Sequence, residues 1–372
     1  MKKKSPVYGV KPQVLKVPAY TLRAYDAEVK LNQNENPYDF PDDLKEETYR
    51  RFRGRQWSRY PDFVPSSLCE RLAGFVGWRK DGVLVGNGSN ELLLATLMVI
   101  VRDQTPVIIP SPTFTVYGLV SKILGAQAVQ VPLKPDMSYD VDEVLSQADK
   151  VRARIIIICT PNNPTGSLLD MSDLERMLRH FPGYVLLDEA YYEFCGRTGL
   201  GYLQAHPKLI ITRTFSKAMG MAGLRIGYLM ADPDLASQIA KAKLPYNVNQ
   251  FSLVAAQVAL ENIDRFQPAI QAILAERERL GAALHRIPGV RVFPSGANFF
   301  LIELAYPPQQ VFDDLYREQV LVRDVSSYPM LSRCLRVTVG TPQENNRFLD
   351  TLRASLEARA AGKTVSSRGV QT

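Results

Sequence analysis

Lys217 lies in a segment rich in hydroxyl groups and glycine, Thr214-Phe215-Ser216-Lys217-Ala218-Met219-Gly220, which follows a short apolar stretch. A lysine that is desolvated or held beside other cations loses proton affinity, and it then becomes a usable nucleophile and base. Thr214, Ser216 and the nearby Arg225 could together bind a dianionic phosphate. Most lysines are solvated surface residues, so this segment alone leaves both interpretations open.

A carboxylate, Asp188, ends the apolar run Val185–Leu187. A carboxylate at the end of a buried strand is costly unless it meets a cation. A protonated pyridine nitrogen would provide that cation. A salt bridge or a helix cap would serve equally well on this pattern alone.

Two turns rich in glycine and proline could hold further ligand groups. The sequence of residues 85–91, Val-Gly-Asn-Gly-Ser-Asn-Glu, indicates a strand, a glycine turn and a helix whose first N–H groups can bind an anion. Ser89 or Asn90 could instead be a simple helix cap. Residues 161–166, Pro-Asn-Asn-Pro-Thr-Gly, end an apolar strand abruptly and hold Asn163 at the sheet edge, although a plain strand-to-helix turn would look the same.

The elements that must position these side chains alternate along the chain. Apolar stretches predict strands at 83–85, 107–109, 154–159, 184–187, 209–212 and 226–230, with helices at 90–101, 115–124 and 172–180. This alternation predicts an α/β fold with a mostly parallel sheet covered by helices on both faces. Ligand sites in such sheets form at the carboxyl ends of the strands, where all four segments lie.

The pattern changes after about residue 262. A helix at 265–287, strands at 290–293, 299–304, 320–323 and 335–339, and helices at 308–319 and 343–358 predict a smaller α+β domain. We therefore divide the chain into an extended N-terminal arm (1–30), a large domain (31–262), a small domain (263–360) and a disordered tail (361–372). The arm is expected to pack against the small domain or a partner subunit.

Composition excludes several classes of protein. The chain has 372 residues and a formal net charge of +7, but its basic residues are dispersed, so no nucleic-acid partner is predicted. No apolar run approaches the roughly 20 residues of a membrane span, and none follows the basic start, so neither membrane contact nor a signal peptide is predicted. The histidines match no metal-ligand spacing, and no metal is predicted. The cysteines favour free thiols in a reducing cytoplasm, since they are widely spaced at Cys69, Cys159, Cys195 and Cys334.

The ordered set of motifs resembles the fold-type I pyridoxal-phosphate (PLP) aminotransferases, most closely their histidinol-phosphate branch. The motifs are LNQNENPY (31–38), PNNPTG (161–166), DEAY (188–191) and SKAMGMAGLRIG (216–227). Asp188 follows Asn163 by 25 residues, and Arg225 follows Lys217 by eight. The likeness extends from about Val10 to Leu356. It implies a PLP-binding large domain, a smaller domain and a homodimer.

The resemblance also implies a role for each site residue. Lys217 carries the cofactor and moves a proton to and from the substrate, Asp188 keeps the pyridine nitrogen protonated, and Tyr191 with Asn163 bonds the ring hydroxyl oxygen. Phe114 stacks on the ring. The cofactor phosphate would lie among Ser89, Asn90, Thr214, Ser216 and Arg225, with Tyr60 reaching it from the neighbouring subunit. Asn90 stands where family members often carry an acidic residue, which is tolerable if backbone N–H groups bind the phosphate.

The implied reaction is transfer of an amino group between L-histidinol phosphate and 2-oxoglutarate, with glutamate as the other amino compound, in histidine biosynthesis. Arg336 would bind the anionic end of the substrate, with Arg323 and Tyr20 as further ligands. A surface salt bridge is the alternative for each arginine. An aromatic or prephenate aminotransferase, a threonine-phosphate decarboxylase and a non-catalytic module of a regulator remain alternative functions.

Overall fold

The computed structural model of the protein describes residues 7–17 and 25–361. The predicted substrate ligand Tyr20 lies outside these residues, as does the predicted disordered tail beyond Ala361. Within the described ranges, no helix is both long enough and apolar enough to cross a membrane.

Strands and helices alternate through most of the described chain. In chain order the strands are β1 (Val29–Lys30), β2 (Val83–Gly86), β3 (Pro106–Ser111), β4 (Gln127–Pro132), β5 (Ile155–Cys159), β6 (Tyr184–Asp188), β7 (Leu209–Thr214), β8 (Gly227–Ala231), β9 (Val290–Val292), β10 (Phe299–Leu304), β11 (Val320–Leu321), β12 (Arg323–Asp324) and β13 (Cys334–Thr338). The α-helices are α1 (Pro12–Leu15), α2 (Asp42–Arg53), α3 (Ser66–Val76), α4 (Ser89–Ile100), α5 (Val116–Ile123), α6 (Val141–Lys150), α7 (Met171–His180), α8 (Pro233–Ala240), α9 (Gln250–Glu261), α10 (Gln267–Leu284), α11 (Pro308–Arg317) and α12 (Pro342–Ala360).

Strands β2 to β8 form a seven-stranded sheet in the order β2-β8-β7-β6-β5-β3-β4. The pairs from β4 through β3, β5 and β6 to β7 are all parallel, whereas β8 runs antiparallel to both β7 and β2. The prediction of a mostly parallel α/β sheet is therefore confirmed. The order places the carboxyl ends of β5, β6 and β7 side by side, where the site residues are predicted.

The core of the large domain fills both faces of this sheet, because successive side chains of a strand point in opposite directions. On β5, Ile156 and Ile158 join the apolar cluster on one face, while Ile155 and Ile157 join the cluster on the other. All five residues of β5 are buried. Burial on both faces explains why this strand is a continuous apolar run.

Strand β4 was not predicted. It lies at the edge of the sheet, and its residues are exposed or half-buried except for Val131, which is buried. An edge strand with one covered face lacks the continuous apolar run by which the central strands were found.

The small domain is built on an antiparallel sheet in the order β12-β13-β10-β9. The single strand predicted at 320–323 is wrong in one respect, because the structure divides it into two. Strand β11 pairs in parallel with β1, whereas β12 joins the small sheet. The chain must turn between Leu321 and Arg323 to serve both partners. The predicted domain boundary at residue 262 falls between α9 and α10.

The predicted arm is not extended throughout its described part. Residues Pro12–Leu15 form one helical turn with proline at its start, where the missing N–H costs nothing. Gln13 lies beside Gly125 of the large domain. After the undescribed stretch, the ring of Tyr25 packs 4.8 Å from that of Tyr316 in the small domain, and β1 pairs with β11.

Candidate active site

A pocket opens at the carboxyl ends of β5, β6 and β7 and reaches the small domain. Twelve of the predicted site residues line it: Ser89, Asn90, Phe114, Asn163, Asp188, Tyr191, Thr214, Ser216, Lys217, Arg225, Arg323 and Arg336. Seven further lining residues were not predicted, namely Asn32, Gln33, Asn34, Tyr117, Cys159, Ala190 and Tyr328. The predicted residue Tyr60 lies elsewhere on this chain.

Lys217 follows β7 and is half-buried at the centre of the pocket. Its Nζ donates a hydrogen bond to the backbone oxygen of Gln33 at 2.9 Å. Burial and the positive charge of Arg336 lower the pKa of the Lys217 amine to about 7, against the opposing effect of Glu35. A substantial fraction of the amine is therefore neutral and nucleophilic near neutral pH.

Asp188 is the last residue of β6, and the residue is 7 % exposed. Its Oδ2 accepts a hydrogen bond from the Tyr117 hydroxyl at 2.6 Å, and its Oδ1 accepts one from the Ala190 N–H at 3.2 Å. Burial raises the pKa of the Asp188 carboxyl, while the bond from Tyr117 lowers it. Asp188 forms no ion pair with any described residue, so a cationic ring nitrogen in the pocket fits the cation that this carboxylate lacks.

Tyr117 is fully buried in the first turn of α5, three residues after Phe114. The two rings meet edge to face with centroids 5.5 Å apart. A buried phenol needs a hydrogen-bond partner, which is the one signal in the sequence that could have drawn attention to it. The partner itself, Asp188, lies 71 residues away and could not be deduced from local pattern.

The turn between β2 and α4 forms a cradle with the segment after β7. The N-cap residue of α4 is Gly88, so neither Ser89 nor Asn90 caps this helix. Gly88 has a φ of +79°, which favours glycine, and a Cβ at Gly227 would lie 2.6 Å from the backbone N of Ser89. Both positions therefore require glycine.

Hydroxyl groups and a guanidinium complete the cradle. The Oγ1 of Thr214 lies 3.0 Å from the Oγ of Ser216, which accepts a hydrogen bond from Nη1 of Arg225 at 3.2 Å. Ser89 and Asn90, the first two residues of α4, line the same pocket. A helix N-terminus, two hydroxyls and one arginine fit a dianionic phosphate.

The side chains of Asn163 and Tyr191 form hydrogen bonds with residues that lie outside the seven-stranded sheet. The Oδ1 of Asn163 accepts a hydrogen bond from Nη1 of Arg336 at 2.5 Å, which leaves its amide hydrogens to donate. The Tyr191 hydroxyl accepts from Nδ2 of Asn34 at 3.0 Å, and burial raises the pKa of this hydroxyl. Both side chains can thus donate hydrogen bonds to one oxygen in the pocket.

Arg323 and Arg336 are direct cross-strand neighbours on β12 and β13. Directly opposed residues of an antiparallel pair point to the same face, and both side chains line the pocket. The Nη2 of Arg336 donates to the backbone oxygen of Asn32 at 2.5 Å. Two like charges placed opposite each other are unfavourable alone, so the arrangement suits an anionic ligand.

Tyr60 is 79 % exposed and does not line the pocket of its own chain. Its ring stacks on that of Tyr246 with centroids 4.5 Å apart. Trp57 and Phe63 near it in the sequence are also largely exposed. Its predicted role, at the cofactor of a neighbouring subunit, stays a prediction.

The sequence of the chain is similar to those of known proteins. The model of a family described as aminotransferase class I and II matches residues 26–352. The histidinol-phosphate aminotransferase of Chlorobaculum tepidum is 40% identical over 329 residues, which cover 88% of this chain and 94% of that protein.

Two solved structures share the fold. Histidinol-phosphate aminotransferase from Sinorhizobium meliloti, solved in complex with pyridoxal-5'-phosphate, matches with a TM-score of 0.85 at 23% identity and covers 94% of this chain and 98% of that chain. L-threonine-O-3-phosphate decarboxylase from Porphyromonas gingivalis matches with a TM-score of 0.79 at 25% identity and covers 88% of this chain and 99% of that chain. The same architecture therefore serves more than one reaction.

Proposed function

Since the chain belongs to the family of class I and II aminotransferases, we propose that it transfers an amino group between L-histidinol phosphate and 2-oxoglutarate. The reaction belongs to histidine biosynthesis, and glutamate is the second amino compound. The relative from Chlorobaculum tepidum carries this activity in its name. The charges and hydrogen-bonding groups of the pocket residues support the proposal.

The enzyme depends on PLP, which when bound supplies an electron sink for the negative charge that develops at the substrate's Cα. Lys217 would hold the cofactor covalently, Asp188 would pair with its ring nitrogen, and Asn163 with Tyr191 would bond its ring hydroxyl oxygen. The cradle at the start of α4 would hold its phosphate. Each assignment matches a donor, an acceptor or a charge already described for that residue.

Lys217 also has the properties of the acid-base group. Its pKa of about 7 means that the amine can both take and return a proton at neutral pH. The backbone oxygen of Gln33 orients Nζ from one side at 2.9 Å. Freed from the cofactor, this amine would move the proton to and from the substrate's Cα.

The observation that carries the substrate assignment is the opposed pair Arg323 and Arg336. Histidinol phosphate ends in a phosphate and has no carboxylate, whereas 2-oxoglutarate brings a carboxylate at each end. A planar guanidinium pairs bidentately with either anion. Two guanidiniums on one face provide enough charge for a dianion, which an aromatic amino acid does not carry.

We further propose a homodimer in the cytoplasm. The exposed stack of Tyr60 on Tyr246 lies outside the pocket of its own chain, which supports a contribution to the site of a second copy. The cysteines Cys69, Cys159, Cys195 and Cys334 are free thiols, as a reducing compartment requires.

A panel of amino donors assayed with 2-oxoglutarate tests the proposal. Histidinol phosphate, phenylalanine, tyrosine and aspartate are compared by kcat/KM for glutamate formation, and O-phosphothreonine is assayed for release of carbon dioxide. We expect histidinol phosphate to be the best donor and O-phosphothreonine to release none. Phenylalanine as the better donor would establish an aromatic aminotransferase, and carbon dioxide release would establish a decarboxylase.

A further inference from the structure

A buried ion pair joins the ends of β6 and β7 behind the pocket. Nε of Arg213 donates a hydrogen bond to Oε2 of Glu189 at 2.9 Å. The Glu189 side chain is 0% exposed and that of Arg213 is 3% exposed. Arg213 alternates along β7 with Thr212 and Thr214, so its side chain points away from the face that carries Thr214. None of the expected contacts with cofactor or substrate involves this pair.

The pair is the centre of a hydrogen-bond network. The Oγ1 of Thr198 donates to Oε2 of Glu189 at 2.9 Å and accepts from Nη2 of Arg213 at 2.7 Å. The backbone N–H of Gly199 donates to Oε1 of Glu189 at 2.7 Å. The guanidinium of Arg213 also lies 3.5 Å above the ring of Tyr192. Both carboxylate oxygens and the guanidinium are therefore held in one geometry.

Stability does not explain this network well. Burying two charges costs much of what their attraction returns, and apolar side chains of similar volume often serve as well or better. What the network does provide is fixed geometry. Its bonds close the loop from Glu189 to Gly199 at both ends and tie that loop to β7.

Three pocket residues are attached to this network through the backbone. Asp188 immediately precedes Glu189, Thr214 immediately follows Arg213, and Tyr191 lies inside the closed loop. We propose that Glu189 and Arg213 are positioning residues, which hold Asp188, Tyr191 and Thr214 at the separations that the bound cofactor requires. One ion pair would thereby fix the positions of three groups. These are the carboxylate that pairs with the ring nitrogen, the hydroxyl that donates to the ring oxygen, and one hydroxyl of the phosphate cradle. This inference rests on the cofactor assignment and not on the amino donor, so the donor panel can fail without affecting it.

Three changes separate positioning from stability. Glu189→Gln removes the charge while keeping the shape, and Thr198→Val removes only the shared hydroxyl. The double variant Glu189→Met/Arg213→Met replaces the ion pair by apolar side chains. The matched control is Asp314→Met/Arg359→Met, because that pair is also largely buried (7% and 16% exposed) but joins α11 to α12 in the small domain.

Three quantities are measured. The Kd for PLP comes from titration of the apo-protein followed by visible absorption, and the pH midpoint is the pH at which that absorption changes. The third quantity is the Tm of the apo-protein. We expect Glu189→Gln and the double methionine variant to bind PLP about tenfold to a hundredfold more weakly and to shift the pH midpoint, the range found where residues that orient direct ligands are removed. Thr198→Val should show a smaller loss. The double variant and the control each replace a buried ion pair by methionines and should therefore have similar Tm values, but only the double variant should lose affinity for PLP.

The proposal is overturned if the double methionine variant binds PLP as the wild type does. It is equally overturned if the control loses affinity for PLP to the same extent, because the loss would then follow from lowered stability and not from the position of the ion pair. If the Glu189 and Arg213 variants do not fold, Thr198→Val decides, because wild-type affinity and pH midpoint in that variant contradict a positioning role.

Discussion

The hydroxyl of Tyr117 lies 2.6 Å from Oδ2 of Asp188, at the bottom of the pocket and out of contact with solvent. Burial raises the pKa of the Tyr117 hydroxyl well above its usual range, so it remains a proton donor at all working pH values. It therefore stabilises the ionised form of Asp188, which is the form that would pair with a protonated ring nitrogen under the proposed function.

Tyr117→Phe should lower kcat by about tenfold or more, since a hydrogen bond to a charged group contributes roughly 1.5–3 kcal/mol. Loss of the donor raises the pKa of Asp188, so the acidic limb of the pH–rate profile should move to higher pH. Tyr139→Phe is the control, because Tyr139 is also buried but its hydroxyl donates to the backbone oxygen of Cys159 instead. An unchanged acidic limb in Tyr117→Phe would show that the bond has no effect on Asp188.

The rate at which the apo-protein takes up PLP covalently should depend on pH through Lys217. Only the neutral amine attacks an aldehyde, and the pKa of this amine is about 7. The rate constant, followed by stopped-flow absorbance, should rise as pH increases through 7 and level off above about 8. Arg336→Gln removes one cause of the lowered pKa and should move the midpoint upward. Lys217→Ala should form no covalent adduct at any pH, whereas the exposed Lys241→Ala should match the wild type.

Asp188→Asn should keep the fold and some PLP binding but lose activity on the order of a hundredfold or more, because preorganised charge at a reacting group has effects of that size. The amide cannot favour a protonated ring nitrogen as a carboxylate does. Asp188→Glu, which keeps the charge, should recover part of the rate. The check is kcat together with the Tm of each variant. A wild-type rate with asparagine would mean that Asp188 is only structural.

Arg323→Ala should reduce kcat/KM for histidinol phosphate far more than for phenylalanine. Removing one partner from a buried, hydrogen-bonded charge pair costs on the order of 2–5 kcal/mol, which corresponds to tens- to thousands-fold. Arg336→Ala should harm both donors and 2-oxoglutarate, since it also releases Asn163. Arg291→Ala, an exposed change on the same small sheet, is the control. Equal losses for the two donors in Arg323→Ala would contradict a phosphate-binding role.

Subunit mixing tests whether Tyr60 acts across a dimer interface. Protein carrying Tyr60→Phe and protein carrying Lys217→Ala are each expected to have little activity. Mixed dimers contain one site with neither lesion if Tyr60 serves the other subunit's cofactor, so mixing followed by exchange should restore activity. Sedimentation at assay concentration gives the oligomeric state. A fully active monomer, or mixtures no better than their components, would exclude a shared site.

Most of the pocket could be predicted because its residues follow apolar strands and lie within short motifs. Asp188 is the last residue of a central strand, and Asn163 and Lys217 lie a few residues after the ends of two others. Neighbouring strand ends meet at one edge of the sheet. The residues that were missed depend on distant pairing. Tyr117 lies within a predicted helix, but its partner Asp188 is 71 residues away along the chain. Asn34 is held by hydrogen bonds with Thr338, 304 residues away.

The same limit applies to the fold. The central strands were found from their composition, whereas β4 was missed because an edge strand is only half covered. The division of residues 320–323 into β11 and β12 depends on two different partner strands, one of which lies almost 300 residues away. Local sequence does not contain the position of such partners.

Two cations of the pocket, Lys217 and Arg336, are held by the backbone oxygens of Gln33 and Asn32. The Oδ1 atom of Asn32 has no hydrogen-bond partner among the described residues, so its side chain is not what makes the contact. Contacts made by main-chain carbonyls survive most substitutions and do not titrate. Substitutions of Asn32 or Gln33 should therefore leave the contacts to both cations in place, as long as the path of the main chain is kept.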